Sequence, residues 1–122
     1  MDILKETKLI SNYIISLRKD FHKYPELSME EYRTSKRIKE ELDKIGVKYQ
    51  EGIKTEVVAT IGKGNGRVIA LRADMDALKI QENTDVRYAS ENKGVMHACG
   101  HDSHMASLLG AAMILKKYED SI

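Results

Sequence analysis

His97-Ala98-Cys99-Gly100-His101-Asp102-Ser103-His104 concentrates the only cysteine and three of the four histidines of this chain. Directly after it, Met105, Leu108, Leu109, Ala112 and Leu115 recur at helical spacing. The octapeptide therefore sits where a loop enters a helix running from about Ser103 to Tyr118. Gly100 permits a positive φ and a tight bend, so the side chains of Cys99 and His101 can turn toward one centre. The unpaired N–H groups and positive dipole end of the following helix favour a thiolate over a thiol. Thiolate plus imidazole suits zinc, with manganese, cobalt or nickel as alternatives if carboxylates complete the shell. Two other readings stand beside this one. Cys99 is a buried thiol among histidines that only cap or hydrogen-bond, or it is a nucleophile activated by a neighbouring histidine. His97 and His104 are candidates either to touch an ion or to orient a group that does. Asp102 reads at least as the N-cap of the last helix, and otherwise as an acceptor for an imidazole.

Upstream, a strand-like run Val68-Ile69-Ala70-Leu71 feeds directly into Arg72-Ala73-Asp74-Met75-Asp76. Ligands in α/β sheets gather beyond the carboxyl ends of strands. Asp74 and Asp76 thus point to a nearby metal or charged ligand, against the alternative of an ordinary acidic turn. A second β-branched run, Val57–Ile61, precedes the turn cluster Gly62-Lys63-Gly64-Asn65-Gly66, and the pair predicts a hairpin. Val47–Glu51 reads as a short strand. Residues 79–95 read mainly as loop, with a short strand near Val86–Tyr88.

The N-terminal half is helical. Ile10, Ile14, Leu17 and Phe21 fall on one face of a helix over residues 3–23, which Pro25 ends. Ser28 and Glu31 have capping-box spacing for a second helix, with an apolar stripe of Met29, Tyr32, Ile38, Leu42 and Ile45 and a terminator at Gly46. His22 reads as a histidine favoured by a helix C-terminus. The pairs Glu30-Glu31 and Glu40-Glu41 read as solvated flanks of the stripe. Two helices, then strands, then a helix give an α/β layer.

Composition narrows the function classes. With 20 basic and 19 acidic side chains in 122 residues, the formal charge is +1. That balance offers no reason to expect nucleic acid or an anionic membrane as partner. No segment has the length or apolarity of a membrane span, and residues 1–5 lack a signal-peptide core. A single cysteine cannot pair within the chain, so the expected compartment is reducing and cytoplasmic.

Three ordered segments carry a resemblance. They are Arg18-Lys19-Asp20-Phe21-His22-Lys23-Tyr24-Pro25-Glu26-Leu27-Ser28, Leu71-Arg72-Ala73-Asp74-Met75-Asp76-Ala77-Leu78, and Met96 through His104. Together they resemble the N-terminal portion of M20-family metallopeptidases, in the amidohydrolase branch that acts on N-acyl amino acids, hippurate and auxin conjugates. The resemblance covers residues from about 10 to 118. It implies that residues 1–122 are part of an α/β catalytic domain whose central sheet is flanked by helices, with the lid or dimerisation domain outside this chain. It implies a dinuclear divalent-metal site in which Cys99 bridges and His101 ligates, with Asp76 in a supporting role. It further implies hydrolysis of N-acyl amino acids or similar small amides, and a homo-oligomer stands as a candidate assembly. In the family the glutamate base and the remaining ligands lie beyond the segment matched here. An alternative of another class follows: a non-catalytic product with an incomplete metal site. Lys79 and Arg87 stand where the family usually has proline, and Glu56 and Ser103 where it often has glycine.

Overall fold

The computed structural model describes all 122 residues. Its elements in chain order are α1 (Ile3–Lys23), α2 (Tyr32–Lys44), β1 (Lys48–Glu51), β2 (Val57–Thr60) and α3 (His101–Lys117), with a short 3₁₀ turn at Glu119–Ser121. This is the α/β arrangement expected from the sequence. Helix α1 starts where the Asp2 carboxylate accepts from Lys5 N–H at 3.1 Å. It ends one residue before Tyr24-Pro25, as the proline requires.

The core joins all of the helices. Leu17 and Phe21 of α1, Leu42 of α2, Val47, and Met105, Ala106 and Leu109 of α3 form one buried cluster. Around it pack Tyr13, Ile14, Ile38, Ile45, Tyr49, Val57, Ile61, Ala73 and Met75. Helices α1 and α3 are in tight contact at Gly110, where an added Cβ would come 2.7 Å from Ile14 Cδ1. Strands β1 and β2 are antiparallel, with Lys48 opposite Thr60 and Glu51 opposite Val57.

Several local expectations are corrected. The hairpin forms between β1 and β2, and Val68–Leu71 joins no ladder. The turn after β2 is drawn instead toward the end of α3, where Gly62 N–H donates to Glu119 Oε1 at 3.2 Å and Lys63 pairs with Asp120. Val68 and Ile69 are left 88% and 84% exposed. Val86–Tyr88 is a turn closed by Ala89 N–H on Val86 O, not a strand.

Helix α2 starts three residues later than the capping box implies, and Ser28 does not cap it. The Glu26 carboxylate takes that role, accepting from the N–H groups of Arg33 and Thr34 at 3.0 and 2.6 Å. Glu31 turns inward, where Oε2 accepts from the Thr55 hydroxyl at 2.7 Å. Met29 and Tyr32 consequently lie on the exposed side, outside the expected stripe. Glu41 is buried rather than solvated, ringed by Tyr13, Arg37 and Lys44. Gly46, at φ +72°, ends α2 as expected.

Candidate metal centre

The three sequence segments that are far apart in the chain meet in space. Ala77 N–H donates to Glu26 O at 2.8 Å, and Leu27 and Ala77 form a parallel bridge. Leu78 and Met96 form an antiparallel bridge with reciprocal N–H···O bonds of 2.9 and 3.0 Å. The segment after Pro25 thus lies beside the Asp74–Leu78 segment, which in turn lies beside the entry to the cysteine–histidine cluster. Backbone bonds fix all three, so their side chains arrive on a frame that does not depend on side-chain pairing.

Helix α3 opens on this frame two residues before the expected Ser103. Gly100 stands at the helix start with φ +99°, and its carbonyl accepts from Ser103 and His104 N–H. A non-glycine residue rarely adopts that left-handed conformation. The bend puts Cys99 outside the helix, exposed and unpaired, and His101 in the first turn. His101 Nδ1 lies 2.8 Å from Asp76 O and 3.1 Å from Asp76 Oδ1. Engagement of Nδ1 by oxygen makes it the protonated nitrogen and leaves Nε2, which has no hydrogen bond, with a lone pair for an ion. His104 stands one turn on, its ring centroid 6.0 Å from that of His101.

Asp74 and Asp76 do different things. The Arg72 guanidinium donates to Asp74 Oδ1 through both Nε and Nη2, at 2.9 and 2.7 Å. Those bonds hold the Asp74 carboxyl below its ordinary value, helped by Arg72's charge and more weakly by His101 and His104. Asp76, by contrast, faces His101. The shared strand-end face read from the sequence therefore becomes one aspartate on an arginine and one on an imidazole.

Behind the first turn of α3 lies a buried polar cluster. Asp102 is 1% exposed and is not the N-cap; it sits inside the first turn. Its Oδ2 is 2.7 Å from His22 Nδ1 and 3.0 Å from Arg18 Nε, while its Oδ1 accepts from Ser103 N–H. His22, 3% exposed, turns Nε2 toward Glu82 Oε1 at 2.9 Å. Burial opposes the charge of Glu82, yet the Thr84 hydroxyl, the Ser90 N–H and His22 together hold its carboxyl below the ordinary value. His97 is buried close by with neither ring nitrogen hydrogen-bonded. Burial pushes its pKa down to about 4; Asp102 and Asp76 oppose the shift, and His22 and His101 add to it. His97 is therefore neutral at neutral pH.

His22 is more than the dipole-favoured helix end that its position suggested, and Glu82 escaped the sequence reading altogether. The signal for His22 lay in the segment before Pro25; Glu82 sits in a polar loop whose pattern carries none. The donor set fits a divalent ion: an oriented imidazole with a free Nε2, and an exposed thiol across one glycine from it. Within the chain, no three cysteine, histidine, aspartate or glutamate side chains converge to hold an ion.

Comparisons with known proteins identify what the whole chain is similar to. The profile of peptidase family M20/M25/M40 matches residues 70–122. A thermostable carboxypeptidase of Saccharolobus solfataricus is 50% identical over all of this chain and 33% of its own length. An N-acetyl-L-cysteine deacetylase of Bacillus subtilis is 50% identical over 93% of this chain and 28% of its own. A crystal structure of a Bacillus subtilis dinuclear metal-binding peptidase of the M20 family superposes with a TM-score of 0.87. It is 43% identical, over 92% of this chain and 32% of that one. The chain therefore spans about a third of the length of the proteins it matches.

Proposed function

We propose that this chain is part of an M20-family peptidase, to which its sequence and fold are similar, and that Cys99 and His101 are two ligands of a dinuclear divalent-metal centre in a hydrolase of N-acyl amino acids or similar small amides. The observation that carries this reading is His101, held at Nδ1 by Asp76 and free at Nε2. A carboxylate or carbonyl on the far nitrogen fixes the tautomer and raises the basicity of a ligating histidine. Cys99, exposed across the Gly100 bend, supplies the soft donor. Zinc or manganese suits this set, with cobalt or nickel as alternatives.

Divalent ions at such a site supply Lewis acidity, polarising a scissile carbonyl and acidifying a water. The residues of this chain do the holding. Gly100 sets the angle between Cys99 and His101, Asp76 orients the imidazole, and the bridges at 27/77 and 78/96 fix the turn in place. No general base is assigned among residues 1–122. The absence of three converging donors supports a site completed by ligands outside these residues, since a catalytic zinc centre uses three protein ligands and an open position. It equally favours the second reading, in which these 122 residues alone form a non-catalytic product. The deacetylase relative supports a small acylated amino acid as substrate and the carboxypeptidase relative a peptide bond; both are amides.

The test is hydrolysis of hippurate and a panel of N-acetyl amino acids by the protein with its native flanking sequence, with Mn²⁺ or Zn²⁺ added. Metal-dependent turnover that Cys99→Ser and His101→Ala each abolish is expected. No metal-dependent turnover across the panel sinks the proposal. A stoichiometric ion held tightly by the 122-residue chain after dialysis would overturn the second reading, in which these residues alone form an incomplete site. Protection of Cys99 from alkylation by metal distinguishes ligation from a nucleophilic thiol.

A further inference from the structure

We propose that His22 is a positioning residue for the metal-ligand turn: held between Asp102 and Glu82, it fixes the first turn of α3 on which His101 stands. The proposal rests on the reading of His101 as a ligand. Three parts of the chain meet at this one ring. His22 belongs to the last turn of α1, Glu82 to the loop after Leu78, and Asp102 to the start of α3. Both ring nitrogens face a carboxylate, at 2.7 and 2.9 Å, and both contacts are N–H donations only in the imidazolium form. The side chains of His22, Asp102 and Glu82 are 4%, 1% and 2% exposed, so none of them can exchange its partner for water without the cluster opening.

The surroundings restrict the ring further. Tyr88 packs edge-on against it at 5.6 Å between centroids, and Arg18 lies over the Tyr88 ring while its Nη1 donates to the Tyr88 hydroxyl at 3.0 Å. Arg18 also brings its Nε to 3.0 Å from Asp102. Asp102 Oδ2 is thus shared between the Arg18 guanidinium and the His22 ring, and a buried carboxylate persists only when it is paired and hydrogen-bonded.

Successive residues of a helix point about 100° apart. With Asp102 pinned inward on His22, His101 is turned to the side where Asp76 meets its Nδ1. Releasing Asp102 frees the rotation of that turn, and with it the direction of His101 Nε2. The consequence is specific to one of the two bonds: the contact to Asp102 positions His101, and the contact to Glu82 only steadies the ring.

His22→Asn and His22→Gln separate the two bonds, because asparagine offers its amide N–H where Nδ1 was and glutamine where Nε2 was. The ¹⁵N-labelled protein with its native flanking sequence is observed without metal through the long-range proton–nitrogen spectrum of its imidazoles, and is then titrated with Co²⁺ at the Cys99 thiolate absorption. His22→Asn is expected to keep the wild-type tautomer signals of His101 and Co²⁺ affinity within about threefold. His22→Gln is expected to shift those signals and to weaken Co²⁺ about tenfold or more, as the loss of an outer partner of a ligand does. Both variants should melt earlier by similar amounts. If the two variants alter His101 and Co²⁺ affinity equally, or only in step with melting temperature, the positioning role is overturned. If neither variant folds, Asp102→Asn, which keeps an acceptor oxygen for His22, is compared with Asp102→Ala, which removes it; equal effects on the His101 signals overturn the proposal. A wild-type chain that takes no Co²⁺ removes the ligand reading alone, and the metal-free spectra still decide the role of His22.

Discussion

At the scale of single residues, Gly100 carries the geometry of the site. Its φ of +99° and the open space around its missing Cβ separate two effects that a substitution usually mixes. Gly100→Ala meets no neighbour, so its whole effect comes from the left-handed backbone, worth about 1–2 kcal/mol. The expected outcome is a loss of about that size in urea unfolding, together with weaker metal binding as Cys99 and His101 swing apart. Gly100→Asn should recover part of both, because asparagine tolerates this conformation better. Equal destabilisation by alanine and asparagine would point to sterics rather than to φ. Cys99, Gly100 and His101 were legible as a unit from spacing alone. The partners of His101 and Asp102 were not, because Asp76 and His22 lie 25 and 80 residues away in the chain.

At the scale of elements, the start of α2 shows how a tertiary contact overrides a local signal. Ser28 and Glu31 have the spacing of a capping box, yet Glu26 from the preceding turn occupies the helix N-terminus with both carboxylate oxygens. Oε1 also accepts from the hydroxyl of Thr34, a fully buried residue. Glu31 is then free to reach Thr55 across the fold. Glu26→Ala should cost about 2 kcal/mol, as expected for losing a helix cap and leaving a buried hydroxyl without its acceptor. Ser28→Ala should cost nearly nothing. Chemical denaturation of the two variants checks the pair, and a larger loss from Ser28 would restore the capping box. The same backbone stretch carries the bond from Ala77, so Glu26 joins the helix cap to the edge of the candidate metal centre.

At the scale of the whole molecule, the two ends of the helical layer are tied by Glu6. Its carboxylate accepts from Lys117 Nζ and from the Tyr118 hydroxyl, each at 2.7 Å. The Lys117 hydrogen bond, then that of Tyr118, lowers the carboxyl below its ordinary value of 4.5. A carboxyl lowered in the fold stabilises it fully above the unfolded value and loses that contribution as pH falls through the folded value. The melting temperature of Glu6→Gln should therefore fall below wild type at neutral pH, and the gap should close as the pH drops below 4.5. A gap independent of pH would exclude the charged tie. An apolar segment after β2 is left uncovered. Val68, Ile69 and Leu71 are exposed without a ladder, and the two-stranded sheet has free edges. Such surfaces pair with other chains. The isolated 122-residue chain is expected to associate, with sedimentation and melting that depend on concentration. A cooperative, concentration-independent transition of a monomer would refute this. No helix is long and apolar enough to cross a membrane.

The sequence by itself determined the helices, the apolar face of α1, the glycine stops and the thiol–imidazole pair, because each depends on residues within a turn or two of one another. It also carried the family resemblance through three motifs in fixed order. Only the tertiary structure decided which strands pair, which acidic side chains are buried, that Asp76 engages His101, and that His22 stands between Asp102 and Glu82. The physical reason is the same in each case. Period and propensity act along the chain, whereas a buried carboxylate or an oriented imidazole is fixed by whichever partner the fold brings within hydrogen-bonding distance, and that partner is set by packing across the chain.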